Sequence, residues 1–181
     1  PLARTGAEAV GGGYLWVIAG PISAGNRVAL IDVRNRRFHS TIPLGRQTTA
    51  IAYGYGSAWI GVYDPQRSTA ALLKVRPGSA PIESVVVETD DGAGPLAVAV
   101  GDGSVWALTS RGNLLRIDPK ELQITHRIPM SAEQPTLLAV GAGSVWTANH
   151  ENYDVSQTDP DKNKIVRTIT CGSYDAAPCG T

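Results

Sequence analysis

Val140-Gly141-Ala142-Gly143-Ser144-Val145-Trp146 is the stretch that decides the fold, because the chain writes it four times. Val100-Gly101-Asp102-Gly103-Ser104-Val105-Trp106 repeats it almost residue for residue. Tyr53-Gly54-Tyr55-Gly56-Ser57-Ala58-Trp59 keeps the glycines and the indole, and Val10-Gly11-Gly12-Gly13-Tyr14-Leu15-Trp16 keeps the outline. These segments contain all four tryptophans of the 181 residues, at successive spacings of 43, 47 and 40. A Gly-x-Gly step between two short alternating runs reads as a hairpin, because a tight turn needs positive φ and glycine adopts it at no steric cost.

The rest of the unit recurs as well. After each tryptophan strand comes a polar loop and then a third strand: Val28–Val33, Ala71–Val75, Leu114–Ile117 and Val155–Thr158. Asp32, Asp118-Pro119 and Asp159-Pro160 stand at the ends of three of these, where Asp bonds nearby backbone N–H groups and Pro fixes φ. Fourth strands follow at Phe38–Pro43, Ser84–Glu88, Ile124–Pro129 and Ile165–Thr170. No helical period exceeds one turn. A four-stranded unit repeating at about 40–50 residues cannot bury both its faces alone, so neighbours must stack on it. Twisted sheets of this kind stack radially. The expected fold is therefore all-β, a β-propeller of four-stranded antiparallel blades in a single domain. Its blades fall near residues 6–45, 47–89, 94–131 and 135–171. A sandwich would not carry an indole in register through four units; here each is expected to fill the gap between adjacent blades.

Blade four, Ala139–Thr170, reads A-V-G-A-G-S-V-W-T-A-N and then V-S-Q-T-D-P-D-K-N-K-I-V-R-T-I. It resembles the YVTN-type repeat of bacterial β-propellers, with its glycine turn, V-W-V-A-N, V-x-R-I-D-P and N-K-V-V-x-T-I. Blade three matches through Gly101–Trp106 and Leu115–Pro119, and blades one and two are more diverged. The likeness spans nearly the whole chain, but its motifs are scaffold. It implies a ring of about seven blades, so the four blades here are expected to be part of a larger ring. Ala176–Thr181 looks like the opening of a further blade, since Gly94-Pro95 and Gln134-Pro135 precede equivalent strands. Missing blades, or a second copy, would then be needed to close the ring. Related propellers include streptogramin lyases, metal-dependent enzymes whose repeats carry a Trp-Phe-Thr-Glu-like run. Here the runs are Trp-Val-Ile, Trp-Ile-Gly, Trp-Ala-Leu and Trp-Thr-Ala, so no catalytic residue carries over.

Composition narrows the partners. The chain is 43% hydrophobic and 18% charged, a globular composition, with 16 basic and 16 acidic residues. A neutral chain offers no electrostatic footprint for nucleic acid or anionic membranes. No apolar run reaches the roughly 20 residues that span a bilayer.

Loops joining second to third strands share one end of a blade with the loops between blades, and binding residues concentrate there. That end comprises Gly20–Asn26, Tyr63–Ser68, Ser110–Asn113 and Asn149–Asp154. Gly45–Thr49, Thr89–Gly94, Met130–Gln134 and Cys171–Pro178 join it. The richest loop holds Asn149, His150, Glu151, Tyr153 and Asp154: an imidazole, two carboxylates and a phenol. With Arg111 and Tyr63 these are the candidate ligand-binding residues. His150-Glu151 begins like a zinc-protease signature, but Asp154 stands where the second histidine would be. Asp159-Pro160-Asp161-Lys162-Asn163 lacks the Gly and Glu of a calcium loop and reads as a turn. His39 and His126, taken as standing at the same place on the fourth strands of blades one and three, read as surface histidines. Cys171 and Cys179 either form a disulfide across Gly172–Pro178, which implies an oxidising compartment, or remain two free thiols.

No nucleophile elbow, phosphate loop or dinucleotide fingerprint occurs, and no cofactor or metal is expected. The expectation is a non-catalytic binding or sensor module outside the cytoplasm, presenting its loops to a protein, peptide or glycan. The alternative is a metal-dependent propeller enzyme of the lyase or lactonase type. That needs ionisable residues at the start of several first strands, where only Glu8 occurs.

Overall fold

A computed structural model describes residues 8–19, 27–78, 82–87, 95–130, 135–149 and 153–170. These residues form sixteen strands in four antiparallel sheets, each a four-stranded meander, and no helix. The chain divides into two compact units, Pro1–Val98 and Ala99–Thr181. In the first unit β1 (Glu8–Gly11), β2 (Tyr14–Ala19), β3 (Arg27–Asp32) and β4 (Arg37–Pro43) make blade one. Blade two is β5 (Gln47–Gly54), β6 (Ser57–Asp64), β7 (Thr69–Val75) and β8 (Glu83–Val87). Blade three is β9 (Pro95–Gly101), β10 (Ser104–Thr109), β11 (Asn113–Ile117) and β12 (Ile124–Pro129). The unit boundary falls within β9. Blade four is β13 (Pro135–Gly141), β14 (Ser144–Asn149), β15 (Asp154–Asp159) and β16 (Lys164–Thr170). Pro95 and Pro135 each open a first strand, as their sequence context implied.

The repeated glycine step is a hairpin in all four blades. Both central residues have positive φ: Gly12 and Gly13 at 62° and 84°, Tyr55 and Gly56 at 52° and 73°, Asp102 and Gly103 at 48° and 71°, Ala142 and Gly143 at 52° and 67°. That is the type I′ combination, whose twist matches the strands it joins. The indole then closes the hairpin. Trp16, Trp59, Trp106 and Trp146 donate from Nε1 to the carbonyls of Gly11, Gly54, Gly101 and Gly141 at 3.1, 3.1, 3.2 and 3.2 Å. Ala9, Ala52 and Ala139 sit opposite the tryptophan in three blades, and their small side chains let the indole lie across the first strand. Burying an indole removes roughly 150–250 Å² from water, worth on the order of 4–6 kcal/mol as an upper bound, against about 1 kcal/mol for the hydrogen bond. Packing supplies the stability and the N–H fixes the ring's direction.

Within each unit, successive blades interlock at that same glycine. In the first unit Trp16, Ile18, Val28 and Leu30 of blade one meet Ile51, Ile60, Leu73 and Val75 of blade two in one apolar cluster. Tyr53 lies against Gly11 so closely that a Cβ there would overlap its ring, and the same ring tilts over Trp16 at 5.8 Å. In the second unit Val140 plays the part of Tyr53: a Cβ on Gly101 would lie 2.5 Å from its Cγ1. The residue before the glycine in one blade is thus a knob, and the glycine of the preceding blade is its hole.

One register position differs from blade to blade. The residue paired with the tryptophan on the third strand is Leu30, Lys74, Arg116 or Gln157. Arg116 covers the Trp106 ring at 5.3 Å and donates from Nε to Ser104 Oγ at 2.8 Å. Its other nitrogen reaches blade four, donating to the Pro160 carbonyl at 2.6 Å and to Asn163 Oδ1 at 2.8 Å. Gln157 stays within its own blade, donating to Ser144 Oγ at 2.9 Å. Lys74 lies over Trp59 at 5.6 Å and pairs with Glu83 at 3.3 Å, and Ser57 Oγ, in the slot of Ser104 and Ser144, has no partner among the described residues.

Asp32, Asp118 and Asp159 each open the turn between third and fourth strands, accepting backbone N–H groups two or three residues on. The fifth residue of each turn, Arg36, Leu122 or Asn163, has positive φ. Blade two moves this turn to its opposite end, where Asp64 accepts from Gln66 and Arg67 and Ser68 takes the positive φ. The three blades with the turn in its usual place carry a β-bulge beside it, and blade two pairs there without a shift. The bulge corrects one equivalence. His39 is the extra residue between Phe38 and Ser40, whereas His126 pairs with Arg116, the slot that Ser40 fills in blade one. The two histidines are exposed but one residue out of step, so they do not occupy the same place.

Replacing Gly101 with Ala is expected to cost about 1–3 kcal/mol through overpacking against Val140. Val140→Ala in the same chain should restore most of that loss. Urea unfolding of the two single variants and the double variant measures it, and additive losses would contradict the interlock.

Candidate functional site

Strand ends bring several sequence candidates to one end of the second unit. Asn149 closes β14, is buried, and pairs with Pro135 on one side and Asp154 on the other. Tyr153, at φ 49°, is partly exposed just before β15. Arg111 is exposed in the turn after β10, where Gly112 N donates to the Thr109 carbonyl and Asn113 N to Thr109 Oγ1. His150, Glu151, Cys171 and Cys179 lie outside the described residues. In the first unit Tyr63 is a half-buried residue of β6 paired with Gln47 and Ala70. Among the described residues no group of three His, Cys, Asp or Glu side chains is placed to hold a metal ion. Glu8 is exposed on β1.

A surface that the sequence reasoning passed over lies at the other end of blade one, beside the β3–β4 turn. Asp32, Asn35, Arg37, Phe38 and His39 line an open groove of about 540 Å³. The bulge turns His39 out of the strand's alternation, and its ring tilts against Tyr14 at 4.8 Å. Phe38 is 66% exposed. Arg34, Arg36 and Arg37 are exposed and have no carboxylate partner among the described residues. Asp32 faces inward instead: its carboxylate takes the Asn35 N–H and the Asn35 side-chain amide, both at 2.9 Å. A chain of zero net charge therefore carries a local basic and aromatic edge. The signal was present in Arg34-Asn35-Arg36-Arg37-Phe38-His39, but whole-chain neutrality conceals it.

The electrostatics of the turns are structural. The Asn35 backbone N–H and then its amide hold Asp32 below the usual carboxylate range. The Arg67 guanidinium does so for Asp64, at 2.8 Å, and the Lys162 ammonium for Asp159, at 2.5 Å. Lys162 is raised in return by the Asp159 carboxylate. Each of these shifts has its cause inside a turn, so none of them singles out a general acid or base.

Neither a protein-family model nor a curated protein matches the chain. Solved structures do. Hydrazine synthase from Kuenenia stuttgartiensis superposes with a TM-score of 0.72 over 96% of this chain at 13% identity. The WD40 domain of Pan2 from Neurospora crassa gives 0.71 over 92% at 12% identity. The nidogen/laminin complex gives 0.71 over 92% at 11% identity. The fold is a β-propeller. At such identities the likeness is one of fold alone, and the chain spans 51%, 50% and 64% of those three chains. The propeller scaffold is accordingly what the four indole hairpins build, and the groove beside Phe38 is a local addition to one blade.

Folded carboxylates lowered in this way add stability that is full above their unfolded value near 3.8 and is lost as pH falls through the folded value. Lys162, raised above 10.5, adds stability that is lost only as pH climbs past its folded value. The urea midpoint should therefore decline on acidification below about pH 4, and Asp64→Asn with Asp159→Asn should flatten that decline. An unchanged acid limb in the double variant would show that the turns do not set it.

Proposed function

We propose that the chain is a non-catalytic binding module built on a YVTN-type propeller repeat, and that its ligand is a protein segment with acidic side chains beside an apolar one. The observation that carries this is the exposed Phe38 ring, which lines the groove with Arg37 in a turn whose arginines have no carboxylate partner among the described residues. An exposed aromatic ring beside arginines is the composition that anchors protein contacts. Guanidinium groups match carboxylates in a planar, two-pronged geometry. The groove is wide and open, which suits an extended segment better than a small molecule. One neighbour of the same fold, the nidogen/laminin structure, is itself a protein complex.

Fluorescence-labelled peptides with Asp or Glu flanking Phe or Leu, titrated with the protein, provide the test. Binding should weaken as salt rises. It should fall roughly tenfold or more in Phe38→Ala and in Arg37→Glu, as hot-spot truncations do. Binding that ignores both changes, or a preference for an oligonucleotide of equal charge, would overturn the assignment.

A further inference from the structure

Five side chains line the groove of blade one, and two of them carry a charge that does not change near neutral pH. The Asn35 backbone N–H and amide, with a smaller contribution from His39, hold Asp32 below the usual carboxylate range, so it stays ionised. The Arg37 guanidinium stays protonated throughout. These two charges cancel. Asn35 and Phe38 are neutral, and the remaining lining residue is His39. Imidazole is the side chain that gains its charge between about pH 8 and about pH 5. His39 therefore decides whether the lining is neutral or positive.

The bulge sets its place. Leu30 pairs with Ser40 and Ile31 with Phe38, which leaves His39 as the extra residue. Bulges re-aim a side chain in this way. Blade three has Thr125 at the same position, and its hydroxyl donates to the Arg116 carbonyl at 3.2 Å. Blade four has Val166 there. Of the three bulged blades, only blade one puts a titratable group at this point. The His39 ring leans on Tyr14 at 4.8 Å. Tyr14 stands two residues before Trp16 on the same strand face and packs against the apolar cluster that blades one and two share. The imidazole is thus seated on a ring held from within the unit, while the residue itself is exposed. Among the described residues, the titratable and charged groups around it are Tyr14 from β2, Asp32 from β3 and Arg37 from its own strand, with Arg34 and Arg36 on the adjoining turn.

We propose that His39 is the second carboxylate-binding group of the groove: its protonated imidazole donates an N–H to a ligand carboxylate beside the Arg37 guanidinium, so that an acidic segment is held more tightly at mildly acidic pH. This rests on the peptide-binding reading above and adds to it a residue and a direction of pH dependence. A charged donor makes a stronger bond to a carboxylate than a neutral one. The proton on His39 is held more firmly in the complex than in the free protein, so affinity rises as pH falls through the range in which imidazole titrates.

The labelled peptide with Glu on either side of Phe, titrated at about pH 8 and at about pH 5.5, tests this. Its own carboxylates, with ordinary values near about 4.3, stay ionised at both. The wild-type dissociation constant should fall roughly three- to tenfold from the higher pH to the lower. His39→Gln should lose that tightening. His39→Lys, a permanent cation, should bind at about pH 8 as the wild type does at about pH 5.5. A peptide with Gln in place of Glu should not tighten. His39 is exposed, so both variants should keep the fold, which circular dichroism checks. If the wild type binds equally at both pH values, the role of His39 falls and the peptide-binding reading stands. Tightening that survives in His39→Gln belongs to another group and overturns the assignment, as does equal tightening of the Gln peptide. If the peptide binds at neither pH, both readings fall together.

Discussion

An indole bound to the carbonyl that ends the preceding strand is the constraint on which the rest of this structure depends. It requires a turn tight enough to bring the second strand straight back, and the paired positive φ values of Gly12 and Gly13, or Ala142 and Gly143, provide it. It requires a small residue opposite the tryptophan, and Ala9, Ala52 and Ala139 provide that. Once the ring lies across the first strand, the glycine whose carbonyl it holds is the one place where the next blade can approach closely. Tyr53 and Val140 enter there. Hairpin geometry, ring direction and blade stacking are thus one arrangement, and for that reason they recur together in the sequence.

That unity explains what could be read from the residues. Turns and strand order follow from a local pattern within each hairpin, and the burial of Trp16, Trp59 and Trp106 follows from its repetition, because stacked repeats cover the faces on which the indoles lie. The Asp-Pro turn at Asp159 was legible for the same reason. Misreadings arose where geometry depends on a partner strand. Val33 reads as the end of a strand, but its N–H bonds the Gly13 carbonyl and it enters the turn. His39 and His126 both read as surface histidines of fourth strands, seven and eight residues after their aspartates, and the strand register places them one position apart.

The candidate site was less legible. Polar loops between second and third strands attract attention by composition, yet Asn149 is buried at its strand end and Tyr63 is half-buried in β6. Neither composition nor periodicity reveals that the arginines of the blade-one turn have no carboxylate partner among the described residues while the turns of Asp64 and Asp159 neutralise their own cations. That distinction depends on which way side chains leave the turn. Asn35 occupies the place of Arg67 and Lys162, three residues after the aspartate, and satisfies the carboxylate without a charge.

The reach of Arg116 gives the array a direction. Its guanidinium needs the Pro160 carbonyl and the amide of Asn163, so the chemistry that ties blade three forward is written in blade four. Lysine and glutamine in the same slot bond within their own blades, to Glu83 and to Ser144. Modules that look interchangeable by motif are therefore not so by grammar: blade three carries at this position a requirement on its successor, and setting it before a different blade would leave the Arg116 guanidinium facing a surface without those acceptors.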